Sequence, residues 1–210
     1  MTTPTDNHLE RTLSAIAAPS PETRTDLRAR LAERAAAEDL LDVAYSLVDS
    51  PLGALIVAAT PAGIVRLAFP NEARDMVLAE LARRLSPRLL EAPARLDTAR
   101  RELDEYFNGN RTRFDLAVDW ALTTGFRREV LAATAGVPYG QTATYRSVAT
   151  TAGNPRAVRA AGTALATNPV PIVVPCHRVL RSDGTVGGYR GGPERKRELL
   201  RLEAAHGPQR

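Results

Sequence analysis

Asn154-Pro155-Arg156-Ala157-Val158-Arg159-Ala160-Ala161-Gly162-Thr163-Ala164 is a run of small and cationic residues introduced by an asparagine and a proline. Asparagine caps helix N-termini well and proline suits the first helical position, so a helix is predicted from Pro155 through about Thr167. Just upstream, Gly153-Asn154 breaks a shorter helix through Tyr145, Val148 and Ala149, which Thr142 or Thr144 can cap. A preceding helix starts at Phe126-Arg127-Arg128-Glu129-Val130-Leu131 and runs to the turn Gly136-Val137-Pro138-Tyr139-Gly140. Helix, glycine-bearing turn and helix make the shape of a helix-turn-helix. A hairpin of helices packed in a core has the same shape, and it explains the small residues equally well. It does not explain Arg156 and Arg159, which lie three apart and so share a face. Small residues on an exposed face of this helix would let it approach a nucleic-acid groove closely.

Downstream, Val-Val-Pro-Cys-His-Arg-Val at residues 173–179 holds the chain's one cysteine. A thiol is a nucleophile as its thiolate, and adjacent cations or a paired imidazole favour that form. Lone cysteines are commonly inert core residues. Pro-Cys-His-Arg with glycine-rich flanks is poor core material, so Cys176 is read as reactive. One cysteine excludes an internal disulfide and every zinc site built on paired cysteines. His8, His177 and His206 are too scattered to suggest a metal site, and no metal is expected.

The charge is uneven. Residues 121–210 carry 13 Arg or Lys against 5 Asp or Glu, a balance of +8, while residues 1–120 carry 15 against 19, a balance of −4. A polyanion-binding C-terminal half would show this asymmetry, although solvated arginines give it too. No signal peptide or membrane-spanning stretch is visible, which leads to the expectation of a soluble cytoplasmic protein without a membrane partner.

Residues 1–20 have the composition of a disordered segment. Ser20-Pro21-Glu22 then starts a helix over about 21–39, with Leu27, Leu31 and Ala35 at helical spacing. The apolar runs 43–48, 54–59 and 64–69, separated by the turns Ser50–Gly53 and Thr60–Gly63, predict an antiparallel meander. Helices follow at about 71–86 and 94–107, then a short strand from Phe114 to Val118. The expected organisation is an N-terminal extension (1–40), an α/β domain (41–120), a mainly α domain (121–206) and a short tail (207–210).

Several further elements occur in register: Pro138-Tyr139-Gly140, Thr144-Tyr145, Arg159-Ala160-Ala161-Gly162, Asn168-Pro169, Pro175-Cys176-His177-Arg178-Val179, Gly188-Tyr189-Arg190-Gly191-Gly192, and Lys196 with Leu199–Glu203. In these the chain resembles the methylated-DNA–protein-cysteine methyltransferases, over about residues 41–206. The resemblance implies a ribonuclease H-like α/β domain with a small antiparallel sheet, followed by a winged-helix-like domain with a helix-turn-helix. It implies direct transfer of the alkyl group of O6-alkylguanine in double-stranded DNA to Cys176, with the damaged nucleotide rotated out of the stack. O4-methylthymine stays open as a second substrate.

The same resemblance assigns the site. His177 is the base, acting through a water, and Glu203 orients it. Tyr145 hydrogen-bonds or protonates the leaving base, and Arg159 enters the stack where the nucleotide has left. Arg156, Ala157, Ala160 and Gly162 contact DNA. Asn168 braces the loop between the helix-turn-helix and the cysteine; Pro171 and Arg178 are pocket or structural residues; Tyr189 and the surrounding glycines form the pocket lid; and the carbonyls of Cys176 and Val179 accept the guanine amino group. No cofactor is expected, and the protein is expected to act once, as a monomer. Arg190 stands where many relatives have a small residue, so it is expected to narrow the pocket. Phe126-Arg127 replaces the common phenylalanine–glutamine pair, and the cysteine-rich sensing module of the adaptive-response relatives has no counterpart. The rival is an alkyltransferase-like protein that binds the lesion without transfer. That group lacks the cysteine that is present here.

Overall fold

The computed structural model describes residues 20–207. The expectations for residues 1–19, and for the tail beyond Gly207, lie outside them. The first two apolar runs form β1 (Val43–Val48) and β2 (Leu55–Thr60), and the third forms β3 (Gly63–Ala68). They pair antiparallel in the order of the meander. A fourth strand, β4 (Leu89–Glu91), adds to the free edge of β1 in parallel, so the sheet is mixed, in the order β3-β2-β1-β4. The purely antiparallel sheet is corrected on this point. The helix α2 (Arg74–Arg84) separates β3 from β4 and supplies the crossover that a non-hairpin pairing needs. Phe114–Val118 is no strand; only Val118 bridges, to Ile64.

One face of the sheet buries Val43, Ile56, Val65 and Leu81 of α2. The other buries Leu55, Val57 and Leu67 under α3 (Asp97–Phe107), and this core runs on without a break into the C-terminal half through Leu131, Val148, Leu165 and Val174. The two halves therefore share one apolar interior.

The N-terminal helix α1 (Pro21–Ala37) is capped by Ser20, whose hydroxyl accepts from Thr23 N at 3.1 Å. Its inner face is made of alanines. Ala32 and Ala35 pack with Ala44 and Ala92, whereas Leu27 and Leu31 stand about half exposed. The apolar stripe read from Leu27, Leu31 and Ala35 is corrected here, because only small side chains let the helix lie close against the sheet edge.

The C-terminal half has α4 (Gly125–Ala135), α5 (Tyr145–Thr151) and α6 (Val158–Ala166). Thr144 caps α5 in a reciprocal box with Ser147. Gly153, at φ +85°, ends it. The next helix begins three residues later than the sequence suggests. The Asn154 side chain accepts from Arg156 N at 3.2 Å and its carbonyl from Ala157 N at 3.1 Å, so Asn154 closes a turn instead of capping a helix. Arg156 thus lies in the turn and Arg159 in the first turn of α6. A two-stranded parallel pair, β5 (Ala143–Thr144) with β6 (Val179–Leu180), ties the helix-turn-helix to the cysteine loop, and α7 (Pro193–His206) closes the fold. No helix among the described residues is long and apolar enough to cross a membrane.

Candidate active site

Asn168, wholly buried just past α6, organises the loop that carries the cysteine. Its Oδ1 accepts from Val170 N (3.0 Å), and its Nδ2 donates to Val174 O (2.9 Å) and to Cys176 Sγ (3.1 Å). Val174 N closes the loop onto Val170 O at 2.9 Å. Between them Ile172 sits at φ +75°, in the left-handed region that a β-branched residue resists. Its buried side chain and the Asn168 bonds hold it there, and Pro171 beside it is buried too. Cys176–Arg178 then form one 3-10 turn.

Cys176 is 2% exposed. Burial pushes its thiol up to about 11, against the pull of the Asn168 hydrogen bond and the Lys196 charge. The expectation that neighbouring cations favour the thiolate is therefore corrected: desolvation outweighs them, and the resting sulfur is a neutral thiol. Reaction then requires a base. His177, also buried, places Nε2 at 2.8 Å from Glu203 Oε1, and its Nδ1 has no hydrogen-bond partner among the described residues. Burial holds the imidazole below its usual range, opposed by Glu203. A neutral ring that donates from Nε2 to a carboxylate keeps a free lone pair on Nδ1.

Glu203 gathers donors from across the fold. Arg178 gives Nε to Oε2 and Nη2 to Oε1, both at 2.9 Å, Gly140 N gives to Oε2 at 3.1 Å, and Tyr106 OH gives to Oε1 at 2.7 Å. Burial alone would raise this carboxyl, but the bonds and charges of His177 and Arg178 bring it down to about 2. Arg178, expected as a pocket or structural residue, is thus the counter-ion of Glu203. Lys196, the chain's single lysine, is buried, donates to Val179 O at 2.6 Å and lies 5.8 Å from the Tyr145 ring centre. The Val179 carbonyl therefore already holds one donor, and the Cys176 carbonyl accepts from Val179 N.

Next to this set opens a cavity of about 580 Å³ lined by Tyr145, Arg159, Gly162, Arg181, Gly187 and Gly188 among others. Tyr145 connects the two: burial and the nearby Cys176 raise its hydroxyl above the usual range. Gly187 lies so close that a Cβ there would meet the Tyr145 hydroxyl, so any larger residue must displace the Tyr145 side chain. Of the expected DNA-contacting residues, Arg159 and Gly162 line the cavity and Arg156, Ala157 and Ala160 do not; Arg156, Arg159 and Ala160 are exposed, Ala157 and Gly162 partly so. Among the described residues Arg156 and Arg159 make no ion pair.

Two expectations are relocated. Tyr189 is buried, with its ring 5.5 Å from that of Phe69, and does not line the cavity. Arg190 does not narrow the pocket: it points toward the N-terminal half, with Nε 2.7 Å from Glu72 Oε2 and Nη1 3.3 Å from Thr167 O. Glu72 also pairs with the buried Arg66, which donates to Pro169 O at 3.3 Å. Arg127 donates to Thr167 O as well. These arginines sit at the C-terminal end of α6, where cations are favourable.

Sequence reasoning did not single out Tyr106. An aromatic residue on an amphipathic helix reads as core, and nothing local shows that its hydroxyl reaches a residue 97 positions away. Among the described residues no group of three or more His, Cys, Asp or Glu side chains could hold a metal.

A buried cysteine with an imidazole–carboxylate pair, adjoining a basic helix-turn-helix face, defines a DNA-acting protein whose chemistry uses a thiol. Comparison with known proteins makes the class specific. The ribonuclease-like domain of 6-O-methylguanine DNA methyltransferase matches residues 43–120, and the DNA-binding domain of the same family matches 125–205. A methylated-DNA–protein-cysteine methyltransferase of Methanosarcina barkeri is 36% identical over 160 residues, 76% of this chain and 96% of that one. The inducible enzyme of Bacillus subtilis is 40% identical over 149 residues, 70% of this chain and 82% of its own. Among solved structures, O6-methylguanine methyltransferase of Mycobacterium tuberculosis superposes with a TM-score of 0.69 at 34% identity, covering 80% and 96% of the two chains. The M. tuberculosis protein in complex with DNA gives 0.67 at 35%, covering 79% and 95%. The chain belongs to the methylated-DNA–protein-cysteine methyltransferase family, and DNA is its partner.

Proposed function

We propose that the protein repairs O6-alkylguanine in double-stranded DNA by moving the alkyl group to Cys176, once per molecule. The observation that carries this is the Cys176 thiol, fixed by Asn168 and flanked by His177–Glu203, behind a cavity that Tyr145 lines. His177 Nδ1 takes the thiol proton through a water. The sulfur attacks the alkyl carbon in line, the S–C bond forms, and the C–O6 bond breaks with its electron pair leaving on guanine. Tyr145, kept protonated by burial, hydrogen-bonds the departing base as it gains charge, and the proton taken from sulfur returns to it by way of His177. Atoms and charge balance, with neutral guanine and a thioether as products. Nothing in the site reverses a thioether, so the acceptor is consumed.

Extrusion of the nucleotide is required, because the alkyl carbon cannot be attacked in line inside the stack, and it costs a few kcal/mol. Arg159, exposed at the cavity rim, takes the vacated place in the stack. Ala157, Ala160 and Gly162 allow α6 to approach the minor groove closely, and Arg156 contacts phosphate. The protein acts as a monomer without a cofactor. Intact-mass measurement and peptide mapping after incubation with excess duplex carrying one O6-methylguanine test the reading. One methyl on Cys176, with repaired DNA equal in amount to protein, is expected. Tight binding with no mass change would refute transfer.

A further inference from the structure

The acid–base set is not assembled by the C-terminal half alone. Tyr106 sits in the last turn of α3, in the N-terminal half, and is completely buried. Its ring is wedged among Phe107, Phe114 and Tyr139, with centres 5.2 to 6.0 Å away, so the ring aims its hydroxyl oxygen in one direction. That direction ends on Glu203 Oε1 at 2.7 Å. The same oxygen accepts His177 Nε2 at 2.8 Å and Arg178 Nη2 at 2.9 Å, whereas Oε2 takes Arg178 Nε and Gly140 N. Tyr106 and His177 therefore share one acceptor atom.

We infer that Tyr106 is a positioning residue of the transfer reaction, whose hydroxyl sets how strongly Glu203 holds His177 and so how readily His177 accepts the Cys176 proton. Donors to one oxygen share its electron density. With the phenol in place, Oε1 is partly satisfied and holds the imidazole moderately. Without it, Oε1 bonds His177 Nε2–H more strongly and stabilises the imidazolium further. The groups facing this pair are Arg178 on the same turn, Lys196 on α7, Tyr139 after α4, Tyr189 ahead of α7, and Cys176 itself. Burial and the Glu203 charge keep Tyr106 protonated and therefore a donor throughout. A tyrosine with a merely structural role would need only some buried acceptor; this one uses the carboxylate that orients the base.

The inference rests on the transfer reading, and Tyr106→Phe separates the two. It removes one hydroxyl and keeps the ring. Two quantities are measured from about pH 4 to about pH 8, the usual histidine range extended downward because burial lowers His177: the single-transfer rate constant on an O6-methylguanine duplex, and the His177 imidazole titration by NMR in the free protein. The expected result is that both midpoints rise by roughly half a unit, the part of a charge-assisted bond that differs between the two imidazole states. The plateau rate should change less than about threefold, because the groups that contact the base are untouched. Leu81→Ala, which thins the core on the opposite face of the sheet, is the control: it lowers stability and leaves both midpoints in place. Midpoints in Tyr106→Phe that coincide with the parent's, or that fall, overturn the inference. Absence of methyl transfer by the parent protein overturns the transfer reading instead, and the NMR titration still decides the tie between Tyr106 and His177.

Discussion

Glu203→Gln removes one charge and almost no volume, and the geometry dictates how the site must respond. Oε2 receives two donors that cannot become acceptors, Arg178 Nε and Gly140 N, and Oε1 only one, Arg178 Nη2, so the amide oxygen turns to the Oε2 side. The amide NH2 then faces Arg178 Nη2, a second donor that must draw away, together with Tyr106 OH and His177 Nε2. Tyr106 can rotate its hydroxyl, but His177 must present Nε2 as an acceptor and carry its proton on Nδ1. The base is then blocked where it is needed. The transfer rate should fall on the order of 10²–10⁴-fold, the usual worth of a positioned general base. Stability falls as well, because Arg178, only 7% exposed, keeps its charge and loses its partner. Breaking such a buried pair costs about 3–5 kcal/mol. With a urea m-value of about 2 kcal/mol/M, the midpoint drops by about 1.5–2.5 M. The pH dependence has a definite sign. The Glu203 pKa is depressed in the folded protein, from 4.5 to about 2, so its contribution is complete above the unfolded value and is lost as pH falls toward the folded one. A shift of this size corresponds to roughly 3 kcal/mol, in line with the figure from the broken pair. The gap between parent and variant should therefore be constant above about pH 5 and narrow below it. Urea titrations at several pH values read this directly. A gap under about 1 kcal/mol at neutral pH, or one that fails to narrow in acid, refutes the reasoning. Adding Arg178→Met to Glu203→Gln should recover part of the loss, because no orphaned charge remains.

Asn168→Ala strips the bonds to Val170 N, Val174 O and Cys176 Sγ, and should cost about 1–3 kcal/mol for each buried backbone group left unpaired, read as a lower urea midpoint together with slower transfer. Arg190→Ser should weaken the hold of Glu72 and lower stability without widening the range of alkyl groups. A large gain in rate on a duplex carrying O6-benzylguanine would show that Arg190 does reach the pocket. The rise of the Cys176 thiol from 9.0 to about 11 lowers its thiolate fraction about 100-fold at neutral pH, so iodoacetamide should label the folded protein at least that much more slowly than the urea-unfolded chain. Equal rates would contradict the buried neutral thiol. Arg156→Ala should weaken duplex binding alike for damaged and undamaged DNA and reduce the salt slope of log K by about 1. An effect confined to lesion-bearing duplex would place Arg156 at the base instead.

Which features the sequence reveals depends on how far away their partners are. The meander is legible because Ser50–Gly53 and Thr60–Gly63 join strands that pair with their neighbours, while the parallel β4 is hidden because its register with β1 is set across an intervening helix. Cys176 and His177 stand out because their chemistry is packed into consecutive residues, whereas Asn168 is reached through the family resemblance. Tyr106 is overlooked and Arg190 misread because their partners lie 97 and 118 positions away, and a sequence states which side chain is present but not where it points. The sign of the cysteine shift is missed for a related reason. Neighbouring cations can be counted along the chain, whereas the burial that outweighs them is a property of the shared core. That reversal bears on function. A single-use acceptor resting as an exposed thiolate would be spent on any passing electrophile. A neutral thiol near pKa 11, buried behind Tyr145 and released by His177, reacts where a bound base delivers its alkyl carbon to the sulfur, so burial that slows the resting cysteine also confines it to its substrate.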